Sequence, residues 1–271
     1  MKRLISIAGM LALVTSFLAW VPAAAAPPLS CVVNSTDDDA WASGDNCETA
    51  TAGEVTLRSA IEALNAAAAG THTITFNLPD PSVITLQNGA LNVTSGTLHI
   101  TGPGARRLAV DGDAASTVFA FDGGTTVVMS GITVQNGATD GDGGGILSSG
   151  TVVLDRVAIL GNQASGGGGI NIQCCAEIPL TITNSIIAGN TAGSAAAIDI
   201  EGDDTGESTL TNVTITNNTG EEGAVEIAAT TMHLEFVTLA SNHLPDPDGQ
   251  DLPDSPAGLG VHDDGTATVH S

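Results

Sequence analysis

The chain contains no tyrosine, and only 3% of its 271 residues are aromatic. Basic residues are nearly as scarce. Six Lys and Arg stand against 30 Asp and Glu, a formal net charge of -24. That balance excludes a nucleic-acid binder, which needs a basic patch to displace counterions from phosphates. It equally excludes docking to anionic lipid through a polybasic segment. Beyond the first two dozen residues, no hydrophobic run is long enough to span a bilayer. There is no Gly-x-Ser-x-Gly elbow and no phosphate loop. The six His (His72, His99, His233, His243, His262 and His270) are scattered, and none makes a metal-spacing pair. What the chain does have is 33 Gly and a hydrophobic fraction of 42%. Its Ala, Val, Ile and Leu alternate with small polar residues, a pattern that favours a packed core over disorder.

The N-terminus reads as an address. Met1-Lys2-Arg3 is a short positive region, Leu4 to Val21 is almost wholly apolar, and Ala23 to Ala26 follow Pro22. Residues 1–26 therefore read as a secretory signal peptide, with no membrane insertion once it is removed. The mature chain then has no lysine. Its side-chain cations at neutral pH are Arg58, Arg106, Arg107 and Arg156. Export to an oxidising compartment makes Cys31 and Cys47 a candidate disulfide, worth on the order of 3 kcal/mol in the chain-entropy model. Cys174 and Cys175 are adjacent, and a vicinal disulfide or two free thiols both suit them.

One segment has helical periodicity. Leu57, Ile61 and Leu64 share a face over Thr56–Ala69, Thr56 is a suitable N-cap, and Gly70 is a natural stop. After Gly70 the period changes to two, with Gly, Asn, Asp and Pro between short runs, which indicates strands and tight turns.

An explicit repeat then appears. Octads begin at Ser130, Asp155, Thr183, Thr211 and Glu235, in steps of 25, 28, 28 and 24 residues. Their fifth positions are Val134, Ile159, Ile187, Ile215 and Leu239. Their last positions are Gly137 and then Asn162, Asn190, Asn218 and Asn242. A small residue before a branched one recurs with the same rhythm, at Gly145-Ile146, Gly169-Ile170, Ala197-Ile198, Ala224-Val225 and Gly258-Leu259. A period of this length with strand-like units predicts a β-solenoid. The fold class expected is all-β: a single-stranded right-handed parallel β-helix over residues 71–271, with residues 27–70 as an N-terminal cap carrying the helix. The aligned aliphatics should stack inward, and the four Asn should form a turn ladder. The strand-like Thr266–Ser271 has no capping helix after it, so its edge is a candidate for edge-to-edge self-association.

Residues 32–66 resemble a known group. Val32-Val33-Asn34-Ser35-Thr36, Gly44-Asp45-Asn46-Cys47 and Val55-Thr56-Leu57-Arg58-Ser59-Ala60-Ile61-Glu62-Ala63 look like the N-terminal "CSLREA" domain of secreted bacterial proteins. Ile100-Thr101-Gly102-Pro103-Gly104 and Ser185-Ile186-Ile187-Ala188-Gly189-Asn190 resemble the pectin-lyase-like right-handed β-helix that follows it, shared with polymorphic outer-membrane proteins. The group carries Cys where this chain has Val55, which leaves Cys31 as the substitute partner for Cys47. The resemblance implies secretion and a surface or envelope role, and it implies no reaction.

The expected function is accordingly an exported, non-catalytic β-helix for adhesion, binding or envelope structure, outside the cell, on its surface or in the periplasm. Its expected partner is a surface glycan or protein. The alternative is a polysaccharide lyase or hydrolase, which should show a compact cluster of acids and bases on aligned outward faces. No catalytic residue, cofactor-binding residue or metal ligand is assigned. Candidate segments for structural Ca²⁺ are Asp140-Gly141-Asp142 and Asp246 to Asp251. Asp203-Asp204 reads as a solvated turn, and Arg58 as the ion-pair partner of a nearby acid such as Asp45.

Overall fold

The computed structural model describes residues 28–44, 46–67, 70–173, 179–201, 206–228, 231–244, 258–262 and 266–270. Residues 1–26, Asp45, Cys174, Cys175, Asp203, Asp204 and Asp246 to Asp251 lie outside them.

The chain winds into a right-handed parallel β-solenoid preceded by one helix. Each coil contributes short strands to three parallel sheets. Sheet A has nine strands, opening with Ser30–Val33 and Thr71–Phe76 and ending with Thr266–His270. Sheet B has seven, from Ser82–Thr85 to Thr238–Ala240. Sheet C has seven, from Leu91–Val93 to Leu259–His262. A three-stranded ribbon of Gln163–Ala164, Thr191–Ala192 and Thr219–Gly220 fills one corner.

Register places like on like. Val134, Ile159, Ile187, Ile215 and Leu239 pair in sequence down sheet B. Val110 and Ile84 extend the column at its N-terminal end. From Ile84 to Ile215 the column is completely buried, whereas Leu239 in the last sheet-B strand is half-buried. A parallel sheet carries side chains on alternating faces, so every second residue enters this narrow interior. Aliphatic side chains fill it, and aromatics are not needed.

Each octad turns the chain twice, at its second and seventh positions. The second is Gly131, Arg156, Asn184, Asn212 or Phe236; the seventh is Asn136, Gly161, Gly189, Asn217 or Ser241. All ten have positive φ, between 51° and 66°. Gly and Asn tolerate this left-handed region, while a side chain such as Arg pays a steric penalty of about 1–2 kcal/mol there.

The eighth position forms the ladder. The Asn162 backbone N–H donates to Asn190 Oδ1 at 2.9 Å, Asn190 to Asn218 at 2.9 Å, and Asn218 to Asn242 at 3.0 Å. Where the first octad has Gly137, its N–H still donates to Asn162 Oδ1. Each Asn Nδ2 also donates to the carbonyl of the stacked aliphatic one coil earlier, as Asn190 does to Ile159 at 3.2 Å. Asn162, Asn190 and Asn218 are fully buried or nearly so, and these bonds satisfy amides that would be costly unpaired.

The helix spans Leu57–Ala66. Thr56 and Ser59 cap it reciprocally, each side-chain hydroxyl accepting the other's backbone N–H at 3.0 Å. It ends earlier than its apolar run suggested, at the cap residue Ala67. Leu57, Ile61 and Leu64 are buried, and the helix packs on Leu91–Val93 and Ser30–Val33. Cys31, within sheet A, and Cys47 form a disulfide with Cα atoms 5.9 Å apart.

Arg58 pairs with a nearby acid, Asp38, and the suggested Asp45 lies outside the described residues. The Arg58 Nε and Nη2 donate to the two Asp38 oxygens at 2.8 and 3.1 Å, and further N–H groups reach the carbonyls of Gly89 and Ala90. Asp38 also accepts the backbone N–H groups of Gln87 and Asn88. This buried fork joins the N-terminal segment, the helix and the turn before sheet C.

Candidate functional site

Two outward faces carry polar chemistry. The first is a groove of about 1110 Å³ over the outer face of sheet B. Its wall is the turn Gly102–Arg107. Nine positions separate Thr101 from Val110, but only four separate their register partners Ser130 and Val134. The earlier coil therefore carries a longer turn, and its tip presents Arg106 and Arg107 to solvent. Arg156 lines the same groove two coils on. Three of the four arginines outside the signal segment thus meet here, and the fourth, Arg58, is buried elsewhere.

The groove is partly neutralised. Arg107 pairs with Asp80 at 2.7 Å and Arg156 with Asp155 at 2.6 Å, both arginines being exposed. Asp155 also accepts from Asn184 and Thr183, and Asn184 accepts from Asn212, a second and outward ladder. The Asn184 hydrogen bond is the main cause that holds the Asp155 carboxyl below its ordinary value, with Thr183 and Arg156 adding to it. Exposed Val83 and Ile186 give the floor an apolar strip. Arg156 occupies a left-handed position that three of the other four octads give to Gly or Asn and the last gives to Phe236, so a cation stands here at a steric cost.

The second face is the outside of sheet C. Asn171, Asp199 and Glu226 sit in register on three successive strands. Each stands between two core residues, as Asp199 does between Ile198 and Ile200, so each points outward. Yet Asn171 is 0% and Asp199 2% exposed, because Gly-rich turns fold back over them. Gly166 makes this possible: a Cβ there would lie 2.8 Å from Asp142 Oδ1, 3.1 Å from Asp199 Oδ2 and 3.3 Å from Ser194 Oγ. Gly167, at φ +56°, lies directly over Asn171, whose Cβ would be 2.6 Å from an added methyl. Ser194 donates to Asp199 at 2.6 Å, and Gln173 to Asp142 at 2.7 Å.

Among the described residues, no arginine lies on this face. Burial, with Glu201, Glu222 and Asp142 nearby and against the Ser194 hydrogen bond, pushes the Asp199 carboxyl up to about 6. Burial, a hydrogen bond with Glu222 and the charges of Asp199, Glu222 and Glu201 push Glu226 up to about 8. Both folded-state values lie above the unfolded ones, so the folded chain holds these protons more tightly. Their stabilisation is complete below about pH 4 and is lost as pH rises through 6 and then 8. In chelator-treated protein the melting temperature should therefore fall from pH 4.5 to pH 8.5, by on the order of 5 °C. A flat or rising profile in differential scanning calorimetry would contradict this.

Of the sequence-read candidates, Cys31 and Cys47 meet, the aliphatic column stacks, and the Asn ladder runs from Asn162 to Asn242. Asp140 and Asp142 separate: the Asp140 carbonyl accepts from Ser165, while the Asp142 side chain joins the sheet C cluster. The sequence reading missed Asp199, Glu226, Asn171 and the grouping of the three arginines. Among the described residues, no group of three or more His, Cys, Asp or Glu is placed to hold a metal ion, and no helix is long and apolar enough to cross a membrane.

The fold and these faces define the class, a right-handed parallel β-solenoid with an N-terminal helix. No family model, curated protein or solved structure matches the chain.

Proposed function

We propose that the chain is an exported, non-catalytic β-helix of the bacterial surface or envelope, and that the groove over sheet B is its contact face, receiving an extended glycan that carries anionic groups. The observation that carries this reading is the gathering of Arg106, Arg107 and Arg156 in one groove of a chain with net charge -24. Long-range repulsion disfavours a densely charged polymer, whereas spaced carboxylates or sulfates suit three spaced guanidinium groups. The signal-like residues 1–26 and the CSLREA-like residues 32–66 support export.

The test is calorimetric titration of the mature protein with sparsely carboxylated glycans (highly methyl-esterified pectin and a lightly carboxymethylated glucan) and with a neutral glucan. Replacing the three arginines with Gln should weaken binding of the acidic glycans about tenfold, since each exposed pair contributes a few tenths of a kcal/mol to about 1 kcal/mol. Chain length of the glycans should stay constant. Equal affinity of native and substituted proteins would reject the groove. A second reading, a polysaccharide hydrolase, is favoured by the raised Asp199 and Glu226 carboxyls, a pairing that suits general acid catalysis. Against it, Asp199 is covered by the turn above it. Depolymerisation lost in Asp199→Asn would establish that reading instead.

A further inference from the structure

We propose that the covered face of sheet C binds a divalent cation of the calcium class, held by Asp142, Asp199 and the Asn171 side-chain oxygen, with Ser194 beside them. Two independent observations meet there. Asp142 Oδ1, Asp199 Oδ2 and Ser194 Oγ all lie within 3.3 Å of the place where Gly166 lacks a side chain. Asp142 comes from the coil before Gly166, and Ser194 and Asp199 from the coil after it, and the oxygens converge because nothing fills that place. Separately, Asn171 is completely buried, and neither its Oδ1 nor its Nδ2 has a hydrogen-bond partner. It stands one coil from Asp199, in register, under the same pair of glycines. A buried amide with no partner is destabilising. A cation ligated through its oxygen would relieve one of the two stranded atoms.

Calcium fits this donor set better than the alternatives. It accepts carboxylate, amide and carbonyl oxygens in flexible geometry at 2.3–2.6 Å. Magnesium prefers a rigid octahedron with retained water, and zinc prefers N and S ligands. Only two carboxylates are direct ligands here, in keeping with the absence of any three-acid group placed for a metal among the described residues. Glu201 and Glu222 supply further negative charge around the site. The four arginines outside the signal segment are committed elsewhere, at the helix or in the groove.

The experiment uses the whole mature chain, stripped with EDTA and dialysed at pH 7.5. Titration calorimetry with CaCl₂ should show one saturable site, and calcium should raise the melting temperature. MgCl₂ at equal concentration should do neither. The double variant Asp142→Asn with Asp199→Asn should bind calcium at least about tenfold more weakly. Asn171→Leu is the decisive variant. It removes an unpartnered polar group, so its melting temperature in EDTA should equal or exceed that of the native chain. Its calcium affinity should nevertheless fall about tenfold. No calcium heat in the native chain, an equal response to magnesium, or native calcium affinity in Asn171→Leu would each overturn the site. So would a melting temperature that follows pH and ignores calcium, which would leave protons alone to relieve the carboxylates.

Discussion

Replacing Ile187 with Asp is expected to lower the melting temperature by more than about 10 °C, a cost of several kcal/mol in a chain of this size. Ile187 has no solvent exposure and lies between Ile159 and Ile215 in register. A carboxylate at that height would face aliphatic side chains above, below and across the coil, with no cation in reach. Hydration is unavailable, and protonation still leaves an unpaired polar group. Ile187→Val is the control, since it removes one methylene and should cost only about 0.5–1.5 kcal/mol. Thermal unfolding followed by circular dichroism separates the two. An aspartate variant that melts within 2 °C of the native chain would refute the inward stack.

Arg58→Met should be nearly as damaging, at about 3–5 kcal/mol. The substitution keeps the packing of the stem but leaves Asp38 ionised, with its side chain only 2% exposed. The carbonyls of Gly89 and Ala90 lose their donors in the same step. Adding Asp38→Asn should recover part of the loss, because a neutral amide oxygen can still accept from Gln87 and Asn88. Urea unfolding of the two single variants and the double variant closes the cycle. If the double variant is no more stable than Arg58→Met, the cost lies in packing and not in the stranded charge.

Much of the architecture is legible in the sequence because a solenoid repeats its own environment. The fifth-position aliphatics and the eighth-position Asn occupy equivalent places in successive coils, so spacing alone reveals the stack. The helix was legible through Leu57, Ile61 and Leu64, though not its C-terminal end. What the sequence conceals are contacts that cross coils without repeating. Asp142 and Asp199 are 57 positions apart, and the residue that admits them both, Gly166, reads only as a turn. Arg106 and Arg156 look isolated until a winding of two coils places them in one groove. The partner of Arg58, Asp38, is 20 positions away and also accepts from the backbone of Gln87 and Asn88, a meeting of three segments that no local spacing announces.

The Asn ladder also has a direction. The donors run the same way: from Asn162 to Asn218, each backbone N–H reaches the amide oxygen of the coil that comes later in the chain. An emerging coil is therefore one acceptor short until its successor has been synthesised. Growth from the N-terminal end leaves the unsatisfied amide always at the newest turn, and each added coil moves it forward without disturbing those already closed. Assembly in this sense resembles laying courses of brick: the Arg58 fork fixes the first course, and a missing Asn would interrupt the work at one known height.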